Sequence, residues 1–135
     1  MKPRQITRKV GSLLILREGK QEPTDAEWDE TLSVLAESRD EIDKIRVLVS
    51  SEGGGPTQAQ RKRLQVTLAG KPIRAAVVSD SMRVRFICSS VALFTPNLAS
   101  FRNSEMTSAY DWLDLNASER QLARVTLEQI HNLVE

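Results

Sequence analysis

Short apolar runs recur along the chain, and most of them have the length and residue types of β-strands. Leu13–Leu16 lies between Gly11-Ser12 and Gly19, which indicates a buried strand with a turn at each end. The preceding run Ile6–Val10 is expected to pair with it as an edge strand. Three further runs are β-compatible and end at polar or glycine-rich segments: Ile45–Val49, Ile73–Val78 and Leu98–Arg102.

Helical patterns separate these strands, and each opens at an N-cap signal. Thr24 with Glu27, and Thr57 with Gln60, have the form of capping boxes, in which two side chains satisfy free backbone amides. The second of these helices is expected to stop at Gly70. The other predicted helices start at the polar residues Ser79–Ser81, Ser104 and Asn116. The apolar residues assigned to the last helix are Leu122, Val125, Ile130 and Leu133.

The alternation of strands and helices predicts the fold class. Strands that alternate with helical stretches of about 10 to 15 residues form βαβ units, whose strands are parallel and whose crossovers are right-handed. No linker, repeat or low-complexity tract divides the chain. The sequence therefore predicts one α/β domain over residues 1–135, with a mixed, mostly parallel sheet of four to five strands flanked by about five helices.

Composition is that of an ordinary globular domain. Of the 135 residues, 40% are hydrophobic and 27% are charged, and the formal net charge is +1, which argues against nucleic acid as a partner. The apolar stretch near the amino terminus is too short for a membrane span or a signal-peptide core. The single cysteine, Cys88, lies in an apolar run and is expected to be a small buried hydrophobe. We therefore expect a cytoplasmic protein without membrane insertion.

Several segments resemble STAS-like domains with the SpoIIAA-like fold, in a divergent bacterial branch that is also similar to CRAL-TRIO lipid carriers. The likeness covers most of the chain. It is carried by the strand and turn Ile45–Gly54, the helix Thr57–Leu68, the segment Lys71–Ser81, and the helix Ala109–Leu113 after Phe101. It implies a regulatory or protein-binding module that resembles anti-sigma factor antagonists, or alternatively a carrier of a lipid or other small apolar ligand. A flavodoxin-like fold shares much of the same pattern.

The resemblance also implies a modification site. In the regulatory members of the family, a serine in the turn after the matching strand is phosphorylated, which breaks a complex with an anti-sigma kinase. Ser50 and Ser51 occupy that turn here. The family turn has an aspartate before its serine, whereas this turn has none and continues into Gly53–Gly55.

One binding surface is expected at the carboxyl ends of neighbouring parallel strands, where open α/β sheets bind their ligands. The residues predicted to contact a protein partner are Ser50, Ser51, Glu52, Gly53, Gly54, Thr57, Arg61, Ser79, Asp80 and Ser81. We expect Ser51→Glu, or a bulky residue at Gly54, to weaken binding and to leave thermal stability nearly unchanged. A homodimer is one alternative for the oligomeric state.

No catalytic centre is readable in the sequence, so we expect a protein that is not an enzyme and that uses no cofactor or metal. Gly53–Gly55 lacks the Gly-Lys-Ser or Gly-Lys-Thr ending of a phosphate-binding loop and the spacing of a dinucleotide fingerprint. His131 and Cys88 are the only residues of their types, which supports neither a catalytic triad nor a zinc site. Acid-base chemistry by Asp80 or Glu52 is the enzyme alternative.

Basic and aromatic residues each have two interpretations. Arg61–Arg63 is expected to be a solvated helix face, which Arg74, Arg83 and Arg85 would extend into an anion-attracting patch if the fold brings them together. The aromatic residues are expected to fill the core, although in a carrier some of them would line an apolar pocket. These aromatic residues are Trp28, Phe101, Tyr110 and Trp112.

Overall fold

The computed structural model describes residues 2–93 and 95–135, which contain five strands and five α-helices. The strands are β1 Gln5–Val10, β2 Leu13–Glu18, β3 Arg46–Ser51, β4 Arg74–Val78 and β5 Leu98–Phe101. The α-helices are α1 Asp25–Glu37, α2 Gln58–Leu68, α3 Met82–Ala92, α4 Met106–Trp112 and α5 Ala117–Ile130. Two 3-10 segments, Arg39–Lys44 and Asn103–Glu105, precede β3 and α4.

The five strands form one sheet in the order β1-β2-β3-β4-β5. β1 is antiparallel to β2, and all other neighbours are parallel. The hairpin between β1 and β2 turns within two residues, Gly11 and Ser12, and Gly11 has a φ of 60°, a conformation that glycine adopts without strain. The predicted mixed, mostly parallel α/β sheet is therefore confirmed.

The strand order determines where the helices lie. Each crossover from β2 to β5 moves one strand in the same direction, and right-handed crossovers of this kind place their helices on one face of the sheet. Leu35 of α1, Leu68 of α2 and Val84 of α3 accordingly join a single apolar cluster. α4 and α5 follow the last strand and cover the opposite face, where Ala109 and Ile130 belong to a second cluster. The molecule thus has three layers, with the sheet in the middle.

β2 supplies side chains to both clusters. Leu14 and Leu16 face α1–α3, whereas Leu13 and Ile15 face α4–α5, as the alternation of side chains along a strand requires. All residues of β2 are buried. Burial on both faces explains why this strand is a continuous apolar run and not an alternating one.

Most predicted helix starts are confirmed. Thr24, Thr57 and Asn116 each form a capping box with the residue three positions later. The Ser81 hydroxyl accepts a hydrogen bond from the Val84 amide at the start of α3. Because each of these bonds satisfies an amide that the helix itself leaves free, the caps fix the points at which the chain turns from the sheet edge into a helix.

The prediction that Ser104 caps a helix is wrong. The Glu105 carboxylate accepts a hydrogen bond from the Arg102 amide at 2.8 Å, and the intervening residues form a 3-10 turn. The α-helix begins only at Met106. A local bond from a residue three positions away therefore replaces the expected serine cap.

Two other predictions are wrong in detail. β2 extends beyond Leu16 to Glu18, and its charged end is buried. The inward face of α5 consists of Ala123, Thr126 and Ile130, whereas Leu122 and Leu133 are each 48% exposed. Those three inward positions share one helix face at spacings of three and four residues.

Candidate functional site

The carboxyl ends of the three central strands meet at one edge of the sheet. Glu18 at the end of β2 is paired with Ser51 at the end of β3, and Ser50 is paired with Val78 at the end of β4. We call residues 17–22, 50–58 and 79–83 the carboxyl edge. Nine of the ten residues predicted to contact a partner lie in these ranges, and Arg61 lies one turn farther along α2. The fold therefore brings the predicted residues together.

The turn after β3 is held by its own hydrogen bonds. The Ser51 hydroxyl donates to the Gly54 carbonyl at 2.8 Å and accepts from the Gly53 amide at 3.1 Å. The Gly54 amide in turn donates to the Gly19 carbonyl at 2.8 Å, which ties the turn to the end of β2. A Cβ atom on Gly54 would lie 2.2 Å from the Gln21 carbonyl oxygen. Glycine is required at that position because the two loops are in close contact.

The segment after β4 is tied to the same turn. The Ser79 side chain is 1% exposed, and its hydroxyl donates to the Ser51 carbonyl at 2.8 Å. That hydroxyl also accepts from the Ser81 amide at 3.1 Å. Asp80 is exposed and accepts two hydrogen bonds, at 3.0 Å each, from the backbone and side chain of Asn103. The serines of this edge are therefore structural hydrogen-bonding groups, whereas Asp80 faces solvent.

A buried arginine lies under the turn on the face covered by α5. Arg17 is 4% exposed and donates to the Ser50 hydroxyl at 2.8 Å, to the Glu52 carboxylate at 2.6 Å and to the His131 carbonyl at 3.2 Å. The hydrogen bond from Arg17 holds the pKa of Glu52 below its ordinary value. Arg17 thus joins β2, β3 and the end of α5. It also forms an ion pair with Glu52, one of the residues predicted to contact a partner.

Glu18 is buried on the opposite face of β2, towards α1–α3, because side chains alternate along a strand. It is 4% exposed, and its Oε2 atom has no hydrogen-bond partner among the described residues. Burial raises the pKa of this carboxyl from 4.5 to about 8. A Cβ atom on Gly55 would lie 3.9 Å from the same Oε2 atom. The carboxyl is therefore directly beneath the glycine turn, in its neutral form at pH 7.

Arg17 and Glu18 were not predicted as site residues, because charged residues are rarely buried and the strand was expected to end at Leu16. The pairing of Arg17 with Ser50 and of Glu18 with Ser51, which places both charged residues in the sheet, is visible only in the structure.

The start of α2 is packed against α1. Gln60 completes the Thr57 capping box and donates from its side-chain amide to the Pro23 carbonyl and the Asp25 carboxylate, both at 3.0 Å. The Arg61 guanidinium donates to the Pro56 carbonyl at 2.8 Å. These contacts fix the position of α2 relative to the turn.

One expected mutational outcome is wrong. Ser51 is 3% exposed with two hydrogen bonds, and Gly54 is in contact with the Gln21 loop. A charged residue at the first position, or a bulky one at the second, would therefore lower thermal stability, contrary to the expectation that stability stays nearly unchanged. The exposed residues of this edge, such as Gln58 at the first turn of α2, are the positions at which binding and folding can be separated.

The basic residues do not form the single patch that was considered. Arg74 lies at the opposite end of β4, where its guanidinium is 4.7 Å from the Trp112 ring centroid and donates to the Trp112 carbonyl. Arg63 forms an ion pair with Asp29 of α1. Arg83 donates to the Gly53 carbonyl at 3.3 Å and therefore belongs to the carboxyl edge.

The aromatic residues and the cysteine lie mainly in or beside the core. Trp28 is 4% exposed and donates to the Gln60 carbonyl at 2.9 Å. Phe101, Tyr110 and Trp112 are half-buried against the cluster under α4 and α5. Cys88 is buried as predicted, and burial raises the pKa of its thiol to about 11. Its thiolate is therefore suppressed at neutral pH.

Residues 2–93 and 95–135 contain neither a cluster of metal ligands nor a helix that could span a membrane. No group of three or more His, Cys, Asp and Glu side chains there is arranged to hold a metal ion. None of the helices in those ranges combines the length and the apolar character that crossing a bilayer demands.

Comparison with known proteins identifies the fold. No protein-family model matches this chain, and no curated protein sequence does. A crystal structure at 2.25 Å resolution, of an uncharacterized protein of the DUF3478 family with a SpoIIAA-like fold from Shewanella loihica PV-4, matches with a TM-score of 0.55. The match covers 81% of this chain and 91% of that chain at 16% sequence identity. The chain therefore has the SpoIIAA-like fold that the sequence resemblance predicted.

Proposed function

We propose that this domain is a non-enzymatic regulatory module that binds a protein partner at the carboxyl edge. The observation that carries the proposal is the turn at residues 50–56, which is fixed by hydrogen bonds to the ends of β2 and β4. A fixed turn loses little conformational entropy when a partner binds. The fold itself supports the proposal only by analogy, since one fold hosts many functions.

The surface around this turn has the mixed character of a protein-binding site. Glu52 and Asp80 are exposed and acidic, and Gln58 is exposed at the start of α2. Met82, the first residue of α3, is 84% exposed. A large apolar side chain beside polar and charged ones is typical of protein interfaces, in which an apolar centre is surrounded by a polar rim.

Phosphorylation of Ser50 or Ser51 stays a prediction within this proposal. Both hydroxyls are buried and hydrogen-bonded, Ser50 to Arg17 and Ser51 within its own turn. A kinase would therefore need this turn to open before it could reach either oxygen. Mass spectrometry of the protein from its own cells tests this point, because a phosphoryl group can be assigned to one serine by fragmentation.

The alternative function, a carrier of a lipid or other small apolar ligand, also stays a prediction.

Site-specific photocrosslinking tests the proposal. The photoreactive residue p-benzoylphenylalanine is placed at Gln58, which is exposed at the carboxyl edge, and in a matched variant at Asp43, which is exposed at the opposite end of the sheet. After irradiation of the protein's own cells, we expect a cross-linked protein from position 58 and none from position 43. Cross-linking at neither position, or equally at both, contradicts the proposal. Thermal unfolding of both variants verifies that each is folded.

A further inference from the structure

Three large apolar side chains are exposed along the outward face of α3 and at Leu93, the residue that caps its carboxyl end. Met82, Phe86 and Leu93 are 84%, 73% and 81% exposed, respectively. At 100° per residue, these three positions lie within about 40° of one another around the helix axis, and the line is about 16 Å long. We call these three residues the α3 stripe. Val84 and Cys88 on the inward face join the core, so the stripe is additional to the apolar face that α3 needs for folding.

Charge on this face of the sheet is divided between the helices, with basic residues on α2 and α3 and acidic residues on α1. α2 and α3 together contain five Lys and Arg residues and no Asp or Glu. α1, on the same face of the sheet, contains five Asp and Glu residues and no Lys or Arg. Arg83 and Arg85 flank the α3 stripe on its two sides by helical geometry. A surface of this kind complements apolar residues accompanied by carboxylates.

The arginines of α3 have capacity for a further partner. Arg85 forms no ion pair within residues 2–93 and 95–135. Arg83 lies 4.0 Å from the Glu22 carboxylate, and both side chains are about half exposed, so that contact is weak. Arginine forms two parallel hydrogen bonds with a carboxylate, which favours an acidic side chain as the missing partner.

We propose that the α3 stripe is the anchor surface for an acidic amphipathic helix of the protein partner. This inference rests on the proposed function and specifies the chemistry of its partner. The partner helix would place apolar residues, three and four positions apart in its sequence, against the α3 stripe. It would also place a carboxylate beside Arg85. Amphipathic helices commonly bind apolar protein surfaces in this way. About three helical turns are enough to cover the stripe.

A protein helix fits this surface better than an anionic membrane does. Three acidic residues lie at the end of α3 that meets the carboxyl edge: Glu52 and Asp80 are exposed, and Glu22 is half exposed. A helix can place its carboxylates beside Arg85 and avoid these acidic residues, whereas a uniformly anionic lipid surface would contact both. The outward residues of α1 are acidic but include no large exposed apolar side chain, so a second copy of α1 would leave the stripe uncovered.

Photocrosslinking from the stripe tests this inference in the protein's own cells. p-Benzoylphenylalanine replaces Phe86, and a control variant carries it at Leu122, which is exposed on α5 on the other face of the sheet. We expect the cross-linked peptide from position 86 to be acidic, with apolar residues at helical spacing, and no such peptide from position 122. A cross-link to a second copy of this chain, to lipid or to a basic segment, or no cross-link, overturns the inference.

Charge variants provide the second arm of the experiment. Arg83→Glu with Arg85→Glu is expected to lower the cross-linking yield from position 86 at least tenfold. The matched control, Arg8→Glu with Arg124→Glu, makes the same change of charge at exposed residues on other surfaces and is expected to alter the yield less than twofold. If Arg85→Glu prevents folding, Arg85→Gln removes the charge and is expected to lower the yield in the same direction. An unchanged yield in the folded variants overturns the inference.

The two proposals fail in different ways. A protein cross-link from Gln58 together with none from position 86 leaves the proposed function intact and rejects the α3 stripe as its anchor. Absence of cross-links from both positions rejects both proposals.

Discussion

Replacement of Glu18 by glutamine should change the pH dependence of stability more than any other single substitution discussed for this protein. The carboxyl is buried, and its Oε2 has no hydrogen-bond partner among residues 2–93 and 95–135. Burial raises its pKa from 4.5 to about 8, so the folded state retains a proton that the unfolded state releases at a lower pH. Between these two pKa values the folded protein binds more protons than the unfolded chain, and stability therefore falls as pH rises.

The size of this effect follows from the two pKa values. One pKa unit corresponds to about 1.4 kcal/mol, so the free energy of unfolding should fall by at most ~4 kcal/mol between pH 5 and pH 8.5. Water drawn towards the carboxylate would reduce this amount, since the penalty arises from loss of hydration. Glu18→Gln has nearly the same shape and no charge at any pH. It should therefore be more stable than the wild type at pH 8.5, by an amount that shrinks towards pH 5.

Urea unfolding followed by tryptophan fluorescence measures the effect, because the buried Trp28 reports the loss of the core. The decisive quantity is the difference in unfolding free energy between Glu18→Gln and the wild type at pH 5, 6, 7 and 8.5. Glu30→Gln is the control, since Glu30 is an exposed glutamate of α1. A difference that stays constant within ~0.5 kcal/mol across this range, an error typical of such extrapolations, would refute the reasoning.

Three further predictions concern the same edge and the core beside it. Gly54→Ala should lower the free energy of unfolding by more than ~2 kcal/mol, because its Cβ would lie 2.2 Å from the Gln21 carbonyl oxygen. Gly55→Ala, whose Cβ has no contact closer than 3.9 Å, should cost much less in the same urea titration, and equal losses would contradict the contact argument. Glu52→Gln should destabilise the protein by at most ~1 kcal/mol at pH 7, the upper end for exposed ion pairs. Since the pKa of Glu52 is lowered in the folded state by its hydrogen bond from Arg17, this contribution is present above pH 4.5 and is lost as pH falls through the folded pKa. The difference in unfolding free energy between the variant and the wild type should therefore shrink as pH falls below 4.5. Cys88 should react with a thiol reagent only at the rate at which the protein unfolds, because its thiol is buried with a pKa of about 11. Rapid labelling of the native protein would contradict this prediction, since it would show that the thiol is accessible.

The strands and most helix starts could be predicted from sequence because each depends on local chemistry. Thr24, Thr57 and Asn116 form capping boxes within four residues of chain, and the apolar run of β2 directly reflects its burial on both faces. The parallel order followed from the alternation of strands and helices, since right-handed crossovers leave few other arrangements.

The errors arose where a distant contact outweighed the local pattern. Arg17 was missed because its burial depends on Ser50, Glu52 and the His131 carbonyl, which are far away in sequence. The buried face of α5 was misplaced because Ala123 is small and gives a weak hydrophobic signal, although it is fully buried. Sequence correctly predicted that these residues lie together at the carboxyl ends of neighbouring strands, but it could not indicate that the serines there are already hydrogen-bonded within the fold.

The consecutive strand order has a consequence for how the chain acquires its structure during synthesis. Each parallel strand pairs with its neighbour in sequence, so every βα unit can add to the sheet as soon as it leaves the ribosome, by closure of short loops only. The apolar side chains of Ile15, Leu48 and Ala76, however, face helices that are translated last. One side of the nascent sheet therefore stays uncovered until residues 106–130 emerge, and chaperones that recognise exposed apolar surface should bind the growing chain in that interval.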